Sequence, residues 1–368
     1  MTPDKKPDKS AKPLRPSGSY LDSLSDFAEL LGTIGQAEKA AREMERELDG
    51  LAPKGAGKVN NPPGADDDAS DMPRTQSAAS GPAEEQKPTE EEKPPPGVDE
   101  LLAELDALVG LHAIKESVRS LINLVRVRRL RGEAGLGVPP MSLHMVFTGN
   151  PGTGKTTVAR IMGGLFRAIG VLSKGHLVET DRGGLVAGYV GQTAIKTGEV
   201  ARSALGGILF IDEAYALAPP DASNDFGREA VETLLKLMED HRDDFVVIVA
   251  GYDEPMSDFI SSNPGLESRF NRYFAFPDYN AEELLAIFGG LCEKHEYTLS
   301  DEARKTAGAM LEGMYLLRGE NFGNARDVRN LFENVVAVHA DRVAAIEAPT
   351  REELVSVTAE DIEKAGGI

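Results

Sequence analysis

The sequence predicts an α/β fold: a parallel sheet flanked by helices, a smaller all-helical domain after it, and a disordered region before it. Three observations carry this expectation. Apolar runs of strand length alternate with helical patterns over 143–148, 176–180, 207–211, 245–250 and 273–276, and such alternation favours a parallel sheet with helices on both faces. From about residue 280 the strand-like runs stop, and 281–296, 301–316, 324–345 and 359–365 all carry helical spacing. Composition shifts sharply near residue 98: more than half of the 22 prolines precede it, with acidic runs such as Asp66-Asp67-Asp68 and Glu90-Glu91-Glu92. A stretch of that kind cannot bury enough apolar surface to offset the entropy of ordering it.

The expected organisation is therefore 1–98 mostly disordered, 99–279 α/β and 280–368 helical. One segment of the first region differs. Tyr20, Leu24, Phe27, Leu31, Ile34, Ala41 and Leu48 fall at three- and four-residue steps or their sums. They outline an amphipathic helix over 20–48, interrupted by Glu38 and Glu45 and weakened by Gly32 and Gly35. It either docks, on a partner or on its own assembly, or forms only weakly. After Pro96, Leu101, Leu102, Leu105 and Leu108, then Ile114, Val118, Leu121, Leu124 and Val125, recur at helical spacing and predict helices over 99–131.

Charge narrows the function classes. The chain has 368 residues and a formal net charge of -20. Nucleic acid and anionic membranes are polyanions that need a basic footprint, so neither is the expected partner. The single cysteine, Cys292, leaves no intramolecular disulfide and no CxxC pair. The six histidines are dispersed without metal-ligand spacing. Cys292 and His295 read as neighbours on one helical turn, since no third group nearby would orient a dyad. No apolar run reaches the ~18–20 residues that cross a bilayer. The Lys- and Pro-rich start lacks the hydrophobic segment of a secretory signal, so a cytoplasmic setting is expected.

Gly149-Asn150-Pro151-Gly152-Thr153-Gly154-Lys155-Thr156 fits G-x-x-x-x-G-K-[ST], the phosphate-binding loop, between a strand-like run and a helical one that opens with Thr157. Glycines let the backbone curl so that its N–H groups face phosphate oxygens, and the following helix adds its positive end. Lys155 would reach the β- and γ-phosphates and Thr156 would offer a hydroxyl to Mg²⁺. The second signal is Gly207-Ile208-Leu209-Phe210-Ile211-Asp212-Glu213, an apolar strand ending in two carboxylates. Alone it could be an acidic turn. One strand–helix unit after the phosphate loop, it reads as Asp212 for the Mg²⁺ shell and Glu213 to orient and activate the attacking water.

These motifs do not stand alone. Leu108-Val109-Gly110-Leu111, Phe210-Ile211-Asp212-Glu213-Ala214-Tyr215, Ala250-Gly251-Tyr252, Asn263-Pro264-Gly265-Leu266-Glu267-Ser268-Arg269-Phe270, Phe276-Pro277-Asp278-Tyr279 and Gly323-Asn324-Ala325-Arg326-Asp327-Val328-Arg329 occur in this order. Over roughly 99–345 the chain resembles AAA+ ATPases of the CbxX/CfxQ group, which includes stage V sporulation protein K-like proteins, red-type Rubisco activases and EccA ATPase domains. The resemblance implies a phosphate-loop core with a helical lid. It implies Val109 and Gly110 at the adenine, and Arg269 as the arginine finger that reaches the neighbouring subunit's γ-phosphate, with Arg272 as a second such group or a surface ion pair. It further implies Arg326 as the lid arginine that senses the γ-phosphate. Tyr252 stands where the wider superfamily has Asn or Thr.

The resemblance also implies ATP and Mg²⁺, a ring that in the family is a hexamer, and a client protein gripped by a pore loop at Gly188-Tyr189-Val190-Gly191. Tyr189 and Val190 would form its apolar tip, or Tyr189 would pack on the core in an ordinary turn. Two other classes remain: a nucleotide-gated assembly scaffold and a nucleic-acid-directed loader. Glu213 and Arg269 weigh against the first. The acidic balance and an apolar pore segment, where Lys or Arg would be expected, weigh against the second.

Overall fold

The structure, a computed structural model, describes residues 96–189, 191–219 and 226–367. The expectations for disorder before residue 96, for a helix over 20–48 and for Val190 lie outside the described residues.

The chain opens with α1 (Val98–Ala107) and α2 (His112–Glu133). The alternating unit follows: β1 (Met145–Thr148), α3 (Lys155–Ala168), β2 (Leu177–Thr180), a short α4 (Arg182–Leu185), α5 (Thr193–Ser203) and β3 (Ile208–Ile211). Then come α6 (Gly227–Asp240), β4 (Val246–Gly251), α7 (Asp253–Ser261), α8 (Pro264–Arg269) and β5 (Tyr273–Ala275). All five strands fall where the apolar runs placed them. They form one parallel sheet in the order β2-β3-β4-β1-β5.

The apolar runs are continuous because the central strands are covered on both faces; every residue of β3 and β4 is buried. Side chains alternate across the sheet. Met145, Phe147, Ile208, Phe210, Val246 and Ile248 join the cluster under α1, α2 and α3, while Val146, Leu209, Ile211, Val247 and Val249 join the cluster under α5 to α8. Phe147 is fully buried, with its ring 5.3 Å from Phe274 and 5.0 Å from Phe276. Burial of one such ring contributes about 1.5–3 kcal/mol.

Strand order positions the site. From β1 the chain crosses over β4 and β3 to reach β2, whereas β5 lies on the other side of β1. Ligands of open parallel sheets bind beyond the carboxyl ends of the strands at such a reversal. The ends of β1, β3 and β4 therefore share one edge.

The remaining helices are α9 (Ala281–Lys294), α10 (Asp301–Leu316), α11 (Ala325–Ala344), α12 (Arg351–Val355) and α13 (Ala359–Gly366). Four of these five starts are set by polar caps; α11 has no side-chain cap. Asn280 with Glu283, Thr350 with Glu353 and Thr358 with Asp361 form capping boxes, and Ser300 caps α10. A bidentate pair ties α11 to α13, with Arg342 Nε 2.8 Å and Nη2 2.9 Å from the two Asp361 oxygens. The structure adds one feature to the expected helices: a parallel pair, β6 (Thr298–Leu299) and β7 (Ser356–Val357). Two-residue strands are too short to leave an alternating pattern in a sequence. Among the described residues no helix is long and apolar enough to cross a membrane.

Candidate functional site

The turn from β1 into α3 is left-handed at three glycines, with φ 133° at Gly149, 72° at Gly152 and 94° at Gly154. Space makes the same demand. A Cβ on Gly149 would fall 2.1 Å from the Phe276 carbonyl oxygen, and one on Gly152 2.1 Å from that of Gly323. The loop is thus packed directly on the segment after β5 and on the approach to α11. Within it, the Lys155 ammonium donates to the carbonyls of Gly149 at 2.7 Å and Asn150 at 2.8 Å. Burial lowers the Lys155 pKa; Asp212 and Asp253 push the other way and Arg326 adds to the lowering. A cation and a helix N-terminus that converge in this way can hold an anion.

A cleft of about 520 Å³ opens above the loop, within the usual size of a small-molecule site. Lys155, Thr156 and Thr157 line it from the loop side, Asp212, Glu213 and Tyr252 from the strand ends, and Arg326 and Arg329 from α11. Val109, Leu111, Ile287 and Leu291 add an apolar part to the lining. The lining suits a ligand that joins an apolar group to negative charge. The hydroxyl of Thr156 and the carboxylate of Asp212 are hard oxygen donors on one cleft, the donor type that Mg²⁺ takes alongside substrate phosphates.

The carboxylates sit on a sharp turn. Asp212 N–H still pairs with the Thr180 carbonyl at 2.9 Å, which continues the sheet. Glu213 then turns left-handed at φ 48° and ψ 42°, with its N–H donating to Asp212 Oδ1 at 3.1 Å. A non-glycine residue there costs roughly 1–2 kcal/mol. Among the described residues, Leu111, Glu213, Glu296 and Asn324 have positive φ without being glycine. Two of these line the cleft and Asn324 adjoins it. Clustered strain of this kind marks functional sites. The Tyr215 ring lies 6.3 Å from that of Tyr252, and its phenol pKa is raised by burial and then by Glu213, Tyr252 and Asp212.

The expected site residues divide into several groups. Val109, Pro151, Gly152, Gly154, Lys155, Thr156, Thr157, Asp212, Glu213 and Arg326 line the one cleft. Gly110 does not; it turns the chain at φ 60° against Glu283. The side chains of Asn150 and Thr153 brace the loop, Asn150 by donating to Asp278 at 2.9 Å and the buried Thr153 by donating to the Asn150 carbonyl at 2.8 Å. Arg269 lies outside the cleft of its own chain. Its Nη2 is 3.1 Å from the Glu239 carboxylate, and its buried Nε has no partner. Arg272 is turned inward to the Ser142 carbonyl at 3.3 Å and the Met141 sulfur at 3.0 Å. Tyr189 is 74% exposed on the loop before α5. Cys292 is buried with its thiol pKa pushed up to about 11, chiefly by that burial, so it is not a ready thiolate.

A titrating group sits beneath Arg269. His144 is 4% exposed, and its Nδ1 accepts from the Val247 N–H at 3.0 Å, which requires a neutral ring. Burial, with a smaller contribution from Arg269, lowers its pKa from 6.5 to about 4. Below pH 6.5 the unfolded chain takes up a proton that the folded one refuses. The contribution to stability is therefore complete above that pH and lost as pH falls toward 4. The shift corresponds to about 3 kcal/mol. Urea unfolding from pH 7 to 4 should fall more steeply for the wild type than for His144→Gln; parallel curves would remove the assignment.

The sequence motifs contained Asp278, Tyr279, Asn324 and Arg329 but assigned them no role; in the structure the first three join the loop to the start of α11, and Arg329 lines the cleft one turn beyond Arg326. A partial signal existed for Asn324, since Gly-Asn directly before a helical pattern marks a position where positive φ is expected; its ψ of -124° lies outside the left-handed helical region.

Comparison with known proteins follows the same lines. Residues 145–278 match the model of the ATPase family associated with various cellular activities (AAA), and residues 280–367 match that of the AAA lid domain. The chain is 44% identical to the chloroplastic ribulose bisphosphate carboxylase/oxygenase activase of Cyanidioschyzon merolae, over 73% of this chain and 92% of that one. It is 45% identical to protein CbbX of Cereibacter sphaeroides over 72% and 86% of the two chains. It is 42% identical to stage V sporulation protein K of Bacillus subtilis over 73% and 84%. Among solved structures, the FIGL-1 AAA domain in complex with ADP matches with a TM-score of 0.50 at 18% identity, over 70% of this chain and 82% of that one; at that identity the likeness speaks to the fold.

Proposed function

The chain belongs to the AAA ATPase family, among its CbxX/CfxQ-type members, and on that premise we propose that it hydrolyses ATP within a ring, a hexamer as in the family, to remodel a client protein. The observation that carries this reading is the single cleft in which the phosphate loop, two strand-end carboxylates and an arginine of the helical region meet, while Arg269 stands outside it.

In this reading the apolar part of the lining, with Val109, takes adenine, and Gly110 shapes its approach. Lys155 and the loop N–H groups hold the phosphates. Mg²⁺, held by Thr156 and Asp212, would neutralise phosphate charge when bound. The Glu213 carboxylate orients a water and accepts its proton as the water oxygen bonds to the γ-phosphorus and the β–γ bridging bond breaks, with ADP leaving. Arg269 leaves Glu239 to reach the γ-phosphate of the next subunit, which makes each site complete only at an interface. Interfaces of that head-to-tail kind give a ring when the rotation between subunits closes. Arg326 registers the γ-phosphate for the lid, which begins after residue 279, and its loss moves the lid against the core. The exposed Tyr189 grips the client. The acidic chain favours a polypeptide client over nucleic acid, and the setting we assign is cytoplasmic.

Tyr189→Ala tests the output. Its ATPase rate should stay within about twofold of wild type, because the side chain lies on an exposed loop away from the cleft. A Glu213→Gln ring held in ATP should retain polypeptide from an extract of the source cell, and adding Tyr189→Ala should release it. Retention that ignores Tyr189 would dismiss the pore-loop role; retained nucleic acid would favour a loader.

A further inference from the structure

Asn324 does not line the nucleotide cleft, yet its surroundings are exacting. It is 0% exposed and precedes α11 at φ 52° and ψ -124°, a conformation that glycine adopts readily and asparagine rarely. Its amide is fully used. Oδ1 accepts from the Tyr279 N–H at 2.9 Å. Nδ2 donates to Asp278 Oδ1 at 2.7 Å and to the Phe322 carbonyl at 3.1 Å, with the Pro151 carbonyl at 3.4 Å. The same Asp278 oxygen accepts from Asn150 of the phosphate loop at 2.9 Å.

One buried amide thus joins the phosphate loop, the connector between sheet and lid, and the start of the helix that carries Arg326. Backbone contacts follow the same path. Ala325 N–H reaches the Gly152 carbonyl at 3.3 Å, and the Tyr279 hydroxyl donates to the Thr153 carbonyl at 3.1 Å. An apolar side chain at 324 would leave Asp278 short of a donor, and a carboxylate would face Asp278 with like charge. Asn324 is the buried centre of this network, Asn150 and Asp278 are half-buried, and the second Asp278 oxygen faces Arg318 Nε at 3.7 Å; polar groups joined in this way favour one arrangement.

We propose that Asn324 is the positioning residue for Arg326: the clamp it forms with Asp278 seats the start of α11 on the phosphate loop, so that Arg326 enters the cleft in one register and displacement of the loop is passed to the lid. The proposal rests on the reading of Arg326 as the group that meets the γ-phosphate.

Asn324→Gly is the informative variant, because glycine accepts the backbone conformation and only the amide is lost. Steady-state kcat and KM, the affinity for a fluorescent ADP analogue, and the melting temperature would be measured on the full chain. The variants are Asn324→Gly, Arg326→Ala and the double substitution. We expect Arg326→Ala to lower kcat by about tenfold or more, and Asn324→Gly to lower it comparably with analogue affinity within about threefold; one tenfold step is about 1.4 kcal/mol of barrier. The double variant should be no slower than Arg326→Ala, since a residue acting through Arg326 has nothing left to position. Wild-type kcat in Asn324→Gly, or a double variant slower by the product of the two losses, would overturn the proposal alone. Wild-type kcat in Arg326→Ala would remove the premise and the proposal together. Asn324→Asp supplies a second check. Its deficit relative to wild type should shrink as pH falls and one of the facing carboxyls takes up a proton; a deficit independent of pH would count against the clamp.

Discussion

Glu213→Gln is expected to bind ATP as the wild type does and to hydrolyse it about 10² to 10⁴-fold more slowly, the loss typical of a positioned general base. That corresponds to roughly 3–5 kcal/mol of barrier. Binding should survive because glutamine is isosteric and its backbone can keep the left-handed turn and the N–H contact to Asp212. What it loses is the negative charge that accepts the proton of the attacking water. Single-turnover hydrolysis beside equilibrium binding of a fluorescent ATP analogue separates the two quantities. Turnover within about threefold of wild type would transfer the water to another group on the same cleft.

Lys155→Ala is expected to fail one step earlier. Its ammonium is the cation at the centre of the loop, and truncating one partner of a buried charge pair costs about 2–5 kcal/mol. In affinity that is on the order of 30- to 4000-fold. The loop's own hydrogen bonds also bear on the result, since the carbonyls of Gly149 and Asn150 lose their donor. A melting curve beside the titration therefore distinguishes a lost phosphate contact from a collapsed loop. A folded variant with nucleotide affinity within about threefold of wild type would place the phosphates elsewhere.

The local parts of this protein were legible in the sequence. Residues 207–211 and 245–250 read as strands because both faces of those strands are buried and apolar runs are the direct record of that. The phosphate loop and the Asp212-Glu213 pair were legible because their chemistry needs adjacent residues. The helix starts at Asn280, Ser300 and Thr358 carry their caps within three residues. Only the tertiary structure decided the strand order, which brings the ends of β1, β3 and β4 to one edge. It also showed that Gly110 turns the chain without lining the cleft, and that Arg269 is held by Glu239 at 3.1 Å away from its own site. The clamp is the plainest case. Asn150 meets Asp278 across 128 residues and Asn324 meets it across 46. Hydrogen bonds between side chains so far apart leave no period in the chain, because the geometry that satisfies them exists only after the sheet and the helices have packed.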